Sequence, residues 1–175
     1  MTDRPSDRAP TGRVRLILTD PAGGLHRPAE AVRSPDAAAR ALVADLWATM
    51  AAHAGMGLAA PQLGIPWCVA VVRVATVEIV LIDPVIVAQR GRQAGWEGCL
   101  SIPDRVAWVV RPAEVVMSTL DLERRRTRVR VTDLVARAVV HEIDHLRGRL
   151  YSDLVAPDAL VDTREHPTPP PRSHR

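Results

Sequence analysis

A chain of 175 residues, 47% hydrophobic and 25% charged, is long enough for one domain with a buried core and too short for an array of domains. Its net charge of +3 is carried by arginine alone, a mild basicity that does not single out a nucleic-acid partner. No segment approaches the about 20 apolar residues of a membrane span, and the start lacks the apolar core of a signal peptide, so no membrane partner and a cytoplasmic location are expected. Cys68 and Cys99 make no disulfide framework; in a reducing compartment each reads as a core residue or a ligand.

In chain order, residues 1–12 read as a disordered leader and 14–18 as a short strand or extended segment. Ser34-Pro35-Asp36 opens a helix, with Ser34 as N-cap and Pro35 at the first helical position. Leu42, Val43, Leu46, Trp47 and Met50 carry its apolar face as far as Gly55, and His53 complements the dipole near its end. From Gly55 to Gly64 a run of small residues lets the backbone approach something closely, although a plain loop would read the same way. Valine-rich and isoleucine-rich runs at 67–74 and 77–87, interrupted by Pro84, read as strands, with Cys68 inside the first as a small core residue. A polar turn is expected at 88–95, and further strands at 106–110, 114–120 and 126–131. The run Arg124-Arg125-Arg126 with Arg128 and Arg130 alternates with Val129 and Val131, which favours the solvated side of a strand or a hairpin turn over nucleic-acid contact. Residues 13–155 then form the domain, and 156–175, with His166 and His174, read as a disordered proline-rich tail. The expected fold is α+β: an antiparallel or mixed β-sheet body with one long N-terminal helix and a helix bearing a metal site.

That second helix is read from His141-Glu142-Ile143-Asp144-His145. Positions i and i+4 share a helix face, so both imidazoles reach one metal ion while Glu142 flanks its open position. Thr132 or Asp133 serves as N-cap and Gly148 as the stop. Taken alone, the pair is equally compatible with an ordinary helix surface.

Two further segments accompany it: Gly57-Leu58-Ala59-Ala60-Pro61-Gln62 and Glu97-Gly98-Cys99-Leu100-Ser101. In this order and spacing, the three segments resemble the signature motifs of the bacterial peptide deformylases, over about residues 14–155. The resemblance implies that Cys99, His141 and His145 hold a divalent metal, ferrous iron in this family, with zinc or nickel also accommodated. A thiolate with two imidazoles leaves a fourth position open, and soft sulfur suits iron or zinc better than magnesium. It further implies hydrolysis of the N-formyl group from the initiator methionine of nascent polypeptides, releasing formate. Glu142 is then the general base, and the Gln62 amide with the Leu100 backbone N–H the donors to the formyl oxygen. Formylmethionyl peptides are the implied partners, lying as an added strand along Met56, Gly57, Glu97 and Gly98. Transient ribosome association is a further expectation, though not through a C-terminal helix. Asp144 and Arg111 are expected to pair and fix the helix against the sheet.

Several positions depart from the family pattern: Val140 replaces a common Gln, Asp83 an Asn, Val106 an Arg and Val110 a Pro. These leave open a deformylase for another formylated substrate. An ordinary zinc peptidase is disfavoured by a cysteine third ligand. A non-catalytic formyl-peptide binder would be expected to have lost Glu142 or a ligand.

Overall fold

The computed structural model describes residues 12–32 and 35–165. Its two helices are α1 (Ala37–Ala52) and α2 (Asp133–Leu146), and the strands are β1 (Gly57–Ala59), β2 (Val69–Val74), β3 (Val77–Arg90), β4 (Gln93–Cys99), β5 (Ile102–Arg111), β6 (Glu114–Leu120), β7 (Arg126–Thr132) and β8 (Val161–Asp162). The strands form a five-stranded sheet in the order β1-β2-β3-β6-β7 and a three-stranded sheet in the order β4-β5-β8. Every strand pair is antiparallel, and an isolated parallel bridge joins Glu30 to Trp67. No helix among the described residues is long and apolar enough to cross a membrane.

The larger sheet is covered on both faces. Ala70 and Val72 of β2 pack with Val139, Ile143 and Leu146 of α2, whereas Val69 and Val71 pack with Leu42, Leu46 and Met50 of α1. Two apolar faces at a period of two make β2 a continuous apolar run. Ala107, Val109 and Tyr151 form a separate core under the small sheet.

Several elements differ from the sequence reading. α1 is capped by Asp36, whose carboxylate accepts from the N–H groups of Ala38 and Ala39 at 2.9 and 3.0 Å. A carboxylate bridging two orphan donors is worth about 1 kcal/mol, so the helix begins after Pro35; Ser34 lies outside the described residues. The helix ends at Ala52, and His53 Nδ1 donates to Thr49 O at 2.8 Å. Residues 14–18 are extended but unpaired in either sheet, and Leu18 N–H donates to Gln62 O at 2.8 Å. β3 continues through Pro84 because the register shifts between Ile82 and Val85, where proline needs no ladder hydrogen bond. The turn expected at 88–95 shrinks to Gly91 and Arg92, since β3 and β4 extend into it.

The expected disordered tail is ordered over part of its length. β8 pairs with β5 at Arg105–Asp162 and Val106–Val161, flanked by 3-10 turns at Pro157–Ala159 and Thr163–Glu165. The pairing supplies backbone partners that proline-rich composition does not advertise. Residues 1–11 of the leader, and His166 and His174 of the tail, lie outside the described residues.

α2 is where the site is built. Thr132 occupies the N-cap position without a side-chain cap bond, and the first turn is held from outside: Asp133 N–H donates to Ala113 O at 2.8 Å and Gln93 Nε2 to Asp133 O at 2.7 Å. Gly148 follows the helix at φ +70°, and a Cβ there would lie 2.6 Å from the Arg27 carbonyl carbon, so the stop also admits a neighbouring chain segment.

Candidate metal centre

Cys99 ends β4, where the register to β5 shifts between Gly98 and Cys99, and the irregularity re-aims the thiol toward α2. His141 and His145 stand on α2, their rings 5.0 Å apart. Their ligand atoms and Cys99 Sγ all lie within 4.8 Å of one another, with Sγ 3.2 Å from His145 Nε2. The donor set fits a borderline-soft divalent metal: one sulfur, two imidazole nitrogens and no fourth protein ligand. His141 donates its Nδ1 to Glu97 Oε2 at 3.1 Å, which leaves Nε2 for the site.

The electrostatics distinguish the two imidazoles. Burial alone would lower the His141 imidazole, but hydrogen bonds to Cys99 and Glu97 and the charge of Glu142 outweigh it and hold the ring at about 10. His145 moves the other way: burial, then the charges at His141 and Arg111, press it well below its ordinary value. The two imidazoles thus sit in different fields, His141 facing Glu97, Glu142 and the sulfur and His145 facing His141 and Arg111.

Glu142 is 3% exposed, and its Oε2 is a buried atom without a hydrogen-bond partner among the described residues. Burial raises its carboxyl to about 7, with His141 opposing and Glu97 reinforcing. The carboxylate lies against β1: a Cβ at Gly57 would overlap Oε1 and sit 2.7 Å from Cδ and 2.8 Å from Cγ. Gly57 therefore answers a close approach, as the glycine run suggested.

Gln62 is 2% exposed and fixed at both ends of its amide. Oε1 accepts from Ala59 N–H at 2.8 Å, and Nε2 donates to Ser101 Oγ at 3.1 Å while lying 3.5 Å from Cys99 Sγ. The first bond settles which end of the amide is the donor, and that end faces the thiol.

Gln62, Cys99, His141 and Glu142 line one cavity of about 600 Å³, whereas His145, 1% exposed, is not part of its wall. Gly57 of β1 with the preceding Met56, Glu97 and Gly98 of β4, and Leu100 all line it, and β1 and β4 are each terminal in their sheet. Met56 is 51% exposed at the rim. Glu97 engages its side chain in buried ion pairs with Arg111 and Arg137.

Behind Cys99, His141 and His145 lies a network that sequence reasoning found only in part. Arg111 binds Glu97 through two bonds, Nε to Oε1 at 2.9 Å and Nη2 to Oε2 at 2.8 Å, and reaches Asp144 Oδ2 with Nη1 at 2.5 Å. The Arg111–Asp144 pair is thus present and buried, not two solvated charges. Arg137 and Arg149 were not singled out: Arg137 Nη1 donates to Glu97 Oε1 at 2.6 Å, and Arg149 also pairs with Asp144. Arg137 lies four residues before His141, a helical spacing that could have drawn attention. Tyr151, also missed, stacks on the His141 ring at 6.1 Å and donates to Arg105 O at 2.8 Å.

Of the departures, Val106 lines the cavity, whereas Val140 is buried in the core beside Leu81 and Val115. Val110 is 48% exposed, and Asp83 Oδ1 accepts from Val32 N–H at 2.9 Å.

Residues 14–159 match the family described as Polypeptide deformylase. A peptide deformylase of Thermomicrobium roseum is 42% identical over 151 residues, covering 81% of this chain and 86% of that one. One from Alkaliphilus metalliredigens is 40% identical and covers 81% and 97%. Among solved structures, a peptide deformylase from Legionella pneumophila superposes with a TM-score of 0.80 at 33% identity, covering 84% of this chain and 89% of that one. An actinonin complex of the Ehrlichia chaffeensis enzyme gives 0.80 at 31% identity, over 83% and 90%. The chain belongs to the polypeptide deformylases, metal-dependent hydrolases that remove the N-formyl group from nascent chains.

Proposed function

We propose that Cys99, His141 and His145 hold the metal, that Glu142 is the general base, and that Gln62 and the Leu100 N–H receive the charge on the formyl oxygen. The observation that carries this reading is a three-donor cluster that meets a buried carboxylate and a fixed amide donor at one cavity through Cys99 and His141. A divalent metal held there supplies Lewis acidity, activating water and polarising the formyl carbonyl.

The chain's own groups divide the remaining work. Glu142, lifted to about 7, is suited to accept the attacking water's proton and pass it to the departing amine. The products are formate and a free N-terminus. Ala59 holds the Gln62 oxygen and so fixes the amide's orientation, and the N–H now directed at the Cys99 thiol is the one available to the formyl oxygen; one such donor is worth about 2.7–4 kcal/mol. The peptide lies as an added strand between the open edges of β1 and β4, paired with backbone at Met56, Gly57, Glu97 and Gly98. Backbone pairing accepts many nascent sequences, while the apolar part of the cavity receives the methionine side chain.

We assign ferrous iron as the working metal, with zinc or nickel also held, on the softness of the thiolate and the family resemblance. A ferrous thiolate site would lose activity in air. A substrate class that arises on translating ribosomes supports a cytoplasmic location and a transient association with them.

The test is formate release from formyl-Met-Ala-Ser by anaerobically prepared protein, with the bound metal assayed. Glu142→Ala should abolish turnover while retaining metal, and Gln62→Ala should reduce kcat about 10²–10³-fold. Turnover by Glu142→Ala at the parent rate would refute the assignment of the base.

A further inference from the structure

The positive charge beneath the cavity at Arg137 has no part in the chemistry above, yet it is 6% exposed and densely bonded. Its Nη1 donates to Glu97 Oε1 at 2.6 Å, to Val109 O at 3.1 Å and to Gly95 O at 3.3 Å, and its Nη2 to Gln93 O at 3.4 Å. It therefore ties α2 to both strands of the β4–β5 ladder. β4 accommodates it by having no side chain at Gly95, where a Cβ would lie 3.2 Å from Nη2 and 3.3 Å from Cζ.

The bond to Glu97 matters most. That carboxylate is divided: Oε1 receives Arg111 Nε and Arg137 Nη1, while Oε2 receives Arg111 Nη2 and His141 Nδ1. Arg111 alone could bind the carboxylate side-on and still let it pivot. A second guanidinium on Oε1, anchored by three carbonyls, fixes the remaining rotation and holds Oε2 on the His141 ring.

We propose that Arg137 is a positioning residue for the metal centre: by locking Glu97 it fixes the orientation of the His141 imidazole. This rests on His141 being a metal ligand. Arg137 lines the same cavity as Leu134, Ala138 and His141, the four lying along one face of α2. The residue thus links the wall of the substrate cavity to the ring that holds the metal.

Removing a group that orients a metal-binding histidine typically costs 10–100-fold in metal affinity. Arg137→Met, which keeps the length of the stem, should release metal to a competing chelator about 10–100-fold faster than the parent. Its kcat for formyl-Met-Ala-Ser should fall with KM little changed. Arg137→Lys restores the charge but not the fork, and should fall between the two. Gly95→Ala removes no charge but crowds the guanidinium, and should speed metal release in the same direction by a smaller factor. Metal retention at the parent rate in Arg137→Met would overturn the proposal. So would equal losses in the Met and Lys variants that merely track a lower Tm. If Arg137→Met does not fold, Gly95→Ala decides: faster metal release supports the proposal, and release at the parent rate overturns it. Absence of formate release from metal-loaded parent protein would refute the deformylase roles instead, and the metal-release assay would still test Arg137.

Discussion

Gly57→Ala separates the proposed base from the rest of the fold. Strand β1 pairs with β2 at Gly57–Val72, a backbone conformation that alanine can share. The obstacle is the added methyl, whose carbon would lie 2.7 Å from Glu142 Cδ and 2.8 Å from Cγ. Carbon pairs rest at about 3.5–4.0 Å, so Cδ and Cγ must retreat by about 0.8 and about 0.7 Å, and Oε1 by more. Glu142 is 3% exposed and lines the cavity, so the retreat it can make is into the space the substrate needs. Misplacing a reacting group by about 1 Å costs about 100-fold, equivalent to about 2.7 kcal/mol in activation free energy. Stability should fall by about 1–3 kcal/mol, as for other overpacked sites. The assay is kcat/KM for formyl-Met-Ala-Ser beside thermal unfolding, with bound metal measured. A folded, metal-loaded Gly57→Ala within threefold of the parent would show that the position of Glu142 does not limit the reaction.

Arg111→Met leaves Glu97 and Asp144 short of a buried partner and should destabilise the fold by about 3–5 kcal/mol in urea titrations; unchanged stability and metal content would deny the network a structural role. Burial alone would raise the Glu97 carboxyl, but hydrogen bonds from Arg111 and then His141 hold it at about 2, against about 4.3 in an unfolded chain. A depressed folded value means that its contribution is complete above about 4.3 and is lost as pH falls through about 2. Urea unfolding of the metal-free protein across that window should show a flatter acid limb in Glu97→Gln than in the parent. Chelation should lower the midpoint of thermal unfolding as well as activity, since a ligand at 1,000 times its Kd contributes about 4.1 kcal/mol to the folded state.

The parts legible in the sequence were those where chemistry or period was local. His141, Glu142 and His145 lie within one helical turn, and the apolar spacing of α1 and the valine-rich β2 and β6 stand out without tertiary information. β4 did not, because Gln93-Ala94-Gly95-Trp96-Glu97 has no alternation of apolar and polar residues; Gly95 and Glu97 answer to Arg137 and Arg111, which arrive from elsewhere in the chain. The run at 77–87 reads as interrupted at Pro84, whereas β3 passes through it to Arg90, because a register shift that accommodates proline is a property of the strand pair. The order at β8 depends on an edge of β5 that composition cannot reveal. Arg137 was overlooked because a lone arginine on a helix is ordinarily solvated, and its burial follows from carbonyls on β4 and β5.

The central claim is that one metal, held by Cys99, His141 and His145, activates this enzyme. Its most direct measurement is anaerobic titration of metal-free protein with ferrous ion, following bound iron and formate release from formyl-Met-Ala-Ser together. Activity should rise in proportion to iron and level off at one equivalent per chain, with Cys99→Ala neither binding nor turning over. Full turnover without bound metal, or saturation that survives loss of the Cys99 thiol, would contradict the account.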